Sequence, residues 1–234
     1  MISETQLISA RENIYQKLQT LFDGKAIESH VLGSIARGTP DAYSDIDIWY
    51  TFKDEEFDEV FNNRFEYYKE VGNIIHSNEA HQNAPTHGVH TGLLIGSEDN
   101  TILTVVDIYL CPLSTSYITE EGKKLYGIDL PIGIGGFNPK KVQVDENYRI
   151  NFFIGFIFGT IKKTVRKEGR AFDAVLREYT NLKDKYTVPV EPLVCTEQGI
   201  TLLEEIMDNT MKVANEKQKQ AIEVIRKFAR NVLA

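Results

Sequence analysis

Apolar residues recur along the first half of the chain with two different spacings. Over residues 3–21 they recur every three to four positions, and Ser3 with Gln6 matches a capping box, so the pattern predicts a helix ending near Gly24. Residues 54–71 repeat this helical spacing behind an acidic start. Alternating or continuous apolar runs predict strands over 26–32, 46–52, 89–95 and 101–110, and the turn residues 96–100 make the last two a hairpin.

The second half of the chain has helical spacing throughout. The change follows a segment rich in Gly and Pro, residues 131–139. Helices are predicted over roughly 146–168, 170–183, 196–208 and 211–233. We therefore expect an α+β (α/β) protein with two domains, a mixed sheet with flanking helices over 1–138 and a helical bundle over 139–234.

The composition excludes several classes of protein. The chain has 234 residues, of which 42% are hydrophobic and 26% charged, so disordered and fibrous classes are excluded. A formal net charge of -8 argues against a protein that binds the backbone of nucleic acid. The chain has two cysteines, and its sequence shows neither a basic start followed by an apolar run nor an apolar stretch of about 20 residues. We therefore expect a cytoplasmic protein without a membrane span.

Asp45 and Asp47 are the first candidate site residues. They stand two positions apart in an apolar strand, so both carboxylates lie on one face, about 6.6 Å apart. Two acids on an otherwise buried strand repel each other and resist desolvation, and a divalent cation would relieve both costs. A solvated strand edge explains the same spacing equally well, because this short pattern is a common accident.

Asp107 is a single carboxylate in a second apolar strand, residues 103–110. By itself it fits a paired or exposed strand acid. Together with Asp45 and Asp47 it completes three carboxylates on two strands, which is the usual ligand set for two Mg²⁺ ions about 4 Å apart. Such a pair activates one oxygen and stabilises a leaving pyrophosphate.

Gly33 and Ser34 supply a further element of the candidate site. They follow a predicted strand, and the residues after them can begin a helix. Glycine allows backbone N–H groups to approach an anion, Ser34 adds a hydroxyl, and Arg37 can reach a phosphate oxygen. A turn is the default interpretation of a Gly-Ser pair, but this pair precedes Asp45 by only eleven residues.

These residues carry a family resemblance. The string GSIARGTPDAYSDIDIWY over residues 33–50, followed by a distant acid in an apolar strand, resembles the DNA polymerase β-like nucleotidyltransferase superfamily. It looks most like the bacterial branch that includes aminoglycoside and lincosamide nucleotidyltransferases. The motifs cover roughly residues 28–111, and the helical half matches that branch in type only.

The resemblance implies roles for the candidate residues. Asp45 and Asp47 would bind Mg²⁺, as two ions in the family's usual arrangement, while Gly33 and Ser34 would hold the β- and γ-phosphates of a nucleoside triphosphate. Asp107 would either complete the metal site or act as general base, and both roles occur in the superfamily. A hydroxyl would attack the α-phosphorus in line and release pyrophosphate. Related enzymes place a lysine from the helical part on the triphosphate, which makes Lys162 and Lys163 candidates by analogy.

Other polar and aromatic groups have simpler explanations. Four histidines lie within residues 76–90 in no standard metal-ligand spacing, so a polar loop beside the cleft is expected, with His90 as the one that can enter a strand and face the site. Core packing is the default for the aromatic residues of the first C-terminal helix, although they can also line a pocket. Glu146 fits a first-turn acid better than a second base. The aromatic residues are Tyr148, Phe152, Phe153, Phe156 and Phe158.

Three functional hypotheses follow. The first is transfer of AMP from ATP to a hydroxyl of a small molecule, with aminoglycosides ahead of lincosamides and unknown metabolites because an acidic protein attracts a polycation. The second is a nucleotide-binding or toxin–antitoxin module of the same fold, which three intact acids disfavour. The third, a nucleic-acid polymerase, is weakened by the acidic charge. The oligomeric state, a homodimer included, stays open.

Overall fold

The computed structural model describes residues 2–133, 148–186 and 199–233. The chain divides into two compact units, one formed by Ser3–Gln143 and one by Val144–Ala234 with Met1–Ile2. The predicted boundary at 138/139, Glu146 and Cys195 lie outside the described residues. The mixed sheet with flanking helices and the separate helical region confirm the predicted α+β class.

A mixed six-stranded sheet forms the centre of the N-terminal unit. Its strands have the spatial order β3-β4-β5-β2-β1-β6. The central strands β2 and β5 are parallel, whereas every other neighbouring pair is antiparallel. The strands are β1 (Glu28–Val31), β2 (Ile46–Phe52), β3 (Asn73–Glu79), β4 (Val89–Gly96), β5 (Leu103–Pro112) and β6 (Lys123–Gly127).

Three helices belong to this unit: α1 (Glu4–Thr20), α2 (Gly33–Arg37) and α3 (Asp54–Tyr68). The capping box that begins α1 is present as predicted, with the Ser3 side chain accepting from the Gln6 backbone and the Gln6 side chain accepting from the Ser3 backbone. Three acids occupy the first turn of α3, where the helix dipole favours them. Short 3₁₀ turns follow β3 and β5 at His81–Asn83 and Leu113–Thr115.

One face of the sheet forms the hydrophobic core with α1 and α3. In β2 the inward positions are Ile46, Ile48, Tyr50 and Phe52, all fully buried, and β5 contributes Val106, Ile108 and Leu110. The helices cover this face with Leu18 and Phe57 among others. Because side chains alternate along a strand, every second residue of β2 and β5 points to the opposite face, where the acids lie.

Two strands were not predicted, and one of them changes the interpretation of the histidine segment. Residues 73–79 form edge strand β3, so His76 lies in a strand, and its side chain is buried. His90 lies in β4 and is also buried. The predicted polar loop over 76–90 is therefore limited to the residues between these strands. Five of the seven residues in the sequence NIIHSNE are polar, as an edge strand that is only partly covered permits, and this hides the period of the strand. Strand β6, KKLYG, is short and largely exposed for the same reason.

The described part of the C-terminal unit consists of helices. They are α4 (Tyr148–Val165), α5 (Asp173–Tyr186), α6 (Gly199–Met211) and α7 (Glu216–Leu233), each shifted by a few residues from its predicted range. Aromatic pairs join them: Phe153 stacks on Tyr179 of α5, and Phe158 packs on Phe228 of α7. Phe153 and Phe158 are thus core residues. Across the described ranges, none of the helices has the length and apolar character needed to cross a membrane.

Candidate active site

Asp47 and Asp107 are direct neighbours on the sheet. They are paired across the parallel strands β2 and β5, so their backbones lie about 4.8 Å apart. Both belong to the face opposite the helices, and both are partly exposed. Two carboxylates that are separated by 60 residues in the chain therefore stand side by side and open to solvent, which is the arrangement that a shared cation requires.

Asp45 lies immediately before β2 on the same side as Asp47. The surroundings of Tyr109 bring the three acids together. Burial raises the pKa of the Tyr109 hydroxyl first of all, and the negative charges of Asp107, Asp47 and Asp45 raise it further. The structure therefore places all three predicted acids within electrostatic reach of one tyrosine.

The Gly33–Ser34 turn lies directly against Asp47. Gly33 has a φ of 62°, in the left-handed region, and a Cβ at this position would stand 2.4 Å from Oδ2 of Asp47. A backbone hydrogen bond holds the turn close to β2, since the Leu32 N–H donates to the Asp47 carbonyl at 3.0 Å. Only glycine permits both the conformation and the contact. Ser34 follows in the first turn of α2.

The loop between α2 and Asp45 is organised by its own side chains. Asp41 accepts from the Tyr43 backbone N–H and from the Ser44 hydroxyl, each at 2.9 Å. The buried side chain of Arg11, on α1, donates to the Asp41 carbonyl. The loop that leads into Asp45 is thus tied to a helix of the core, which fixes the relative placement of the turn and the acids.

The predicted phosphate-binding cations occupy three different settings. Arg37, the last residue of α2, forms an exposed ion pair with Glu121 at 2.9 Å, an interaction that water screens strongly. Lys162 and Lys163 lie on α4 of the other unit, where Lys162 is buried and Lys163 is exposed. A phosphate role for these three residues stays a prediction.

His90 contacts the third acid. Its Nε2 lies 3.0 Å from Oδ1 of Asp107, and the imidazole is only 4% exposed. Within the described residues its Nδ1 is buried and has no hydrogen-bond partner. A tautomer with the proton on Nε2 therefore satisfies the carboxylate and leaves only an acceptor unpaired, whereas a proton on Nδ1 would bury an unpaired donor. His90 thus holds one oxygen of Asp107 in place.

A row of aromatic rings lies beside the acids on the same face of the sheet. His90, Tyr109, Trp49 and His30 are successive partners across four strands, from β4 to β1. Trp49 stacks between Tyr109, at 5.4 Å, and His30, at 5.5 Å. His30 in turn contacts buried Glu28 at 2.8 Å. These stacked rings lie on the same face of the sheet as Asp47 and Asp107, two positions further along β2 and β5.

The sequence carried only part of this information. His90 was noted as able to face the site, but its pairing with Asp107 depends on the register of β4 and β5. Trp49 and His30 flank the motif residues at strand period, and that period was the available signal for the aromatic row. Asn78 and Gly92, which extend the row of the acids on the other side, gave no signal that single-sequence reasoning could use.

The donor set fits a magnesium ion. Mg²⁺ prefers oxygen ligands and is usually held by one or two carboxylates together with substrate phosphates and water. Asp47 and Asp107 offer two adjacent carboxylates, and Asp45 a third nearby. Over residues 2–133, 148–186 and 199–233, no three His, Cys, Asp or Glu side chains lie close enough together to form a metal site by themselves.

Comparison with known proteins agrees with this geometry. Residues 11–79 match the family model of the nucleotidyltransferase domain, a span that contains the Gly33–Ser34 turn, Asp45 and Asp47 and ends before Asp107. No curated protein is significantly similar to the chain.

Two solved structures are similar to the chain at low levels. One is the STING-associated CdnE c-di-GMP synthase from Capnocytophaga granulosa, with 15% identity over 97% of this chain and 81% of that one and a TM-score of 0.31. The other is the CdnE cyclic dinucleotide synthase from Elizabethkingia meningoseptica with GTP and Apcpp, with 14% identity over 97% of both chains and a TM-score of 0.27. At these TM-scores the similarity establishes neither a shared fold nor a shared function.

The family match coincides with the segment in which the structure sets a glycine-serine turn against a strand acid. A mixed sheet with paired acids on its two central strands accompanies that segment. The N-terminal unit accordingly contains a segment that matches the nucleotidyltransferase domain, and this match supports nucleotidyltransferase activity for the chain.

Proposed function

We propose that this enzyme moves a nucleoside monophosphate, first of all AMP from ATP, to a hydroxyl group of a small molecule and releases pyrophosphate. The observation that carries the proposal is the pairing of Asp47 with Asp107 while the Gly33–Ser34 turn touches Asp47. This places a turn suited to phosphates beside two carboxylates suited to a divalent cation.

The residues divide the chemistry among them. Ser34 and the backbone of Gly33 hold the β- and γ-phosphates. Asp45 and Asp47 would hold the Mg²⁺ that accompanies the triphosphate. Asp107 completes this set and takes the proton of the acceptor hydroxyl. Bound Mg²⁺ would neutralise charge on the phosphates and on the leaving pyrophosphate. The protein itself contributes mainly position and charge, since phosphoryl transfer needs little covalent help.

The charge distribution favours a cationic acceptor. Residues 1–143 contain 21 Asp and Glu against 11 Lys and Arg, whereas residues 144–234 contain 13 against 15. The negative charge of the chain therefore belongs to the unit that holds the acids. A negative surface around a cleft raises the local concentration of a cation and its rate of association. Aminoglycosides are polycations with many hydroxyl groups, so they are the first acceptor class to test.

A transfer assay tests the proposal. The enzyme is incubated with Mg²⁺ and each of the four α-labelled nucleoside triphosphates, together with an aminoglycoside, a lincosamide or a second nucleotide as acceptor. Labelled acceptor and stoichiometric pyrophosphate are expected, and both should disappear in Asp47→Asn. Asp129→Asn, which changes an exposed carboxylate of the same unit that pairs with Lys124, is the matched control.

The outcomes separate the candidate functions. Transfer to an aminoglycoside alone supports the proposed acceptor class, and transfer to another acceptor keeps the reaction but replaces that class. Binding of Mg-ATP in calorimetry without transfer to any acceptor, in wild type and Asp129→Asn alike, would contradict the proposed reaction and favour a nucleotide-binding module.

A further inference from the structure

The row of the two acids continues across the sheet beyond Asp107. In register, Asp47 is paired with Asp107, Asp107 with Gly92 on β4, and Gly92 with Asn78 on β3. The Gly33 turn lies at the other end, against Asp47. One line across the sheet thus runs from the turn, through the two carboxylates, to a glycine and an asparagine.

Gly92 lies between two polar side chains that approach each other over its backbone. A Cβ on Gly92 would stand 2.9 Å from Oδ1 of Asn78 and 3.2 Å from Oδ1 of Asp107. The Asn78 amide and the Asp107 carboxylate therefore converge above a position that has no side chain of its own. We call Asn78, Gly92 and Asp107 the acceptor cradle.

The geometry of the reaction assigns a role to this end of the line. In phosphoryl transfer the attacking and leaving oxygens stand roughly in line on opposite sides of the phosphorus. The proposed function places pyrophosphate at the Gly33–Ser34 turn, on the β1 side of Asp47. The attacking hydroxyl then approaches from the opposite side, where Asp107 is followed by Gly92 and Asn78.

We infer that the acceptor cradle binds the acceptor, and that it selects acceptors whose reacting hydroxyl stands next to a second hydroxyl or an amino group. The inference rests on the proposed function. The hydroxyl oxygen bonds to the α-phosphorus, its proton passes to the Asp107 carboxylate, and the bond to the bridging oxygen breaks as pyrophosphate leaves. The Asn78 amide, which can both donate and accept, pairs with the neighbouring polar group.

A hydrogen bond from His90 orients the Asp107 carboxylate for this task. His90 donates to Oδ1 at 3.0 Å, and this is the oxygen nearest to the Gly92 position. A hydrogen bond to one oxygen fixes the plane of the carboxylate relative to the cradle. Isolated alcohols can satisfy Asp107 but leave the Asn78 amide without a partner, which makes them poorer acceptors.

The test compares acceptors that differ in one group. Wild type is assayed for pyrophosphate release and for labelled product with Mg-ATP and cyclohexanol, 1,2-cyclohexanediol or 2-aminocyclohexanol, and with the acceptor that the transfer assay identifies. The diol and the amino alcohol are expected to react about tenfold or more faster than cyclohexanol, as measured by kcat/KM. Asn78→Leu is expected to remove this preference, while the KM for ATP changes less than about twofold.

Gly92→Ala is a second variant, which changes the position between Asn78 and Asp107. Its new methyl group displaces the Asn78 amide, which is the end of a flexible side chain, and presses on Asp107. We expect the KM for the acceptor to rise about tenfold or more and the KM for ATP to stay the same. Ser77→Ala on β3 and Gly169→Ala at an open, exposed site are the matched controls and should behave as wild type.

The outcomes distinguish this inference from the function on which it rests. Transfer that proceeds equally with cyclohexanol, or that keeps its preference in Asn78→Leu, overturns the cradle and leaves the nucleotidyl transfer standing. No product with any acceptor in wild type removes both. A Gly92→Ala protein with a lowered melting temperature is set aside in favour of Asn78→Leu, whose side chain is already partly exposed.

Discussion

The two faces of the central sheet are built from the same strands and serve opposite purposes. On one face, Ile46, Ile48 and Ile108 are fully buried under α1 and α3. On the other face, Asp47 is paired with Asp107, and the stacked rings of Trp49 and Tyr109 lie two positions further along the same strands. A shift of one position along either strand thus exchanges a core residue for a candidate catalytic one.

Stability and the proposed transfer activity depend on different faces of the sheet. The apolar face stabilises the unit through burial, at about 25 cal/mol for each Å² removed from water. On the acid face the two neighbouring carboxylates work against folding, because they repel each other. Changes on the first face should therefore affect folding, and changes on the second should affect transfer with little or no loss of stability.

The largest effect is expected from a charge on the apolar face. Ile108→Asp places a carboxylate in a fully buried position beside Asp107 and should destabilise the unit by more than about 4 kcal/mol, so that the protein fails to fold. Asp107→Asn, one residue away, should lower transfer by about 10²–10³-fold and leave the melting temperature unchanged or higher. Thermal unfolding and pyrophosphate release check the pair. A folded Ile108→Asp protein would contradict the division between the faces.

Gly33→Ala should reduce both stability and activity. The left-handed backbone costs an alanine about 1–2 kcal/mol, and its Cβ would displace the Asp47 carboxylate, so transfer should fall by about 10²-fold. Gly38→Ala is the matched control, because Gly38 also has a positive φ, of 72°, with no atom within 4 Å of its Cβ position. Equal losses of transfer in the two variants would show that backbone strain alone matters.

His90 should have a smaller effect that depends on one hydrogen bond. His90→Leu removes the donor to Asp107 and is expected to lower kcat by about tenfold or more. His90→Gln retains an N–H donor near the position of Nε2 and should restore most of kcat, although both variants change the packing against Tyr109. Steady-state kinetics with melting temperatures as reference check this. Equal kcat in the two variants would show that His90 contributes through packing and not through its hydrogen bond to Asp107.

The smallest effect concerns the turn between β4 and β5, which both faces share. Hydrogen bonds from the Ser97 hydroxyl, and then from the Thr101 hydroxyl and backbone, lower the pKa of Asp99 from its ordinary 3.8 to about 2. The ionised form is thus favoured in the folded state, so its contribution to stability is present above about pH 4 and is lost as the pH falls to about 2.

Urea unfolding of wild type and Asp99→Ala measures this contribution. The difference between their free energies of unfolding should be constant from pH 7 to about pH 4 and shrink towards pH 2. A difference that is independent of pH would assign the effect of Asp99 to turn geometry instead of charge.

Sequence patterns were sufficient for the elements with a clear period. The capping box at Ser3, strand β2 at its observed bounds and the four C-terminal helices follow from apolar spacing and local hydrogen bonding. Strand β3 was missed because its polar residues obscure the alternation. The shared face of Asp45 and Asp47 was predictable because their spacing along one strand is local information.

What the sequence could not supply is the pairing between strands. That Asp47 meets Asp107, that His90 donates to Asp107, and that Gly92 separates Asp107 from Asn78 all depend on strand order and register. Register is set by the packing of the whole sheet rather than by any neighbouring residues. The three acids could thus be grouped from the sequence as a candidate set, whereas the residue with which each of them is paired could not be predicted.

The parallel pairing of β2 and β5 also determines when a working site can exist during synthesis. The chain leaves β2, forms α3, β3 and β4, and returns only at β5, so Asp107 is made 60 residues after Asp47. A nascent chain that has emerged from the ribosome only as far as β4 contains the Gly33–Ser34 turn, Asp45 and Asp47 but lacks Asp107. Closing so long a loop is slow and must precede the contacts that reward it. If these residues form the site as proposed, nucleotidyl transfer cannot begin before β5 has joined the sheet.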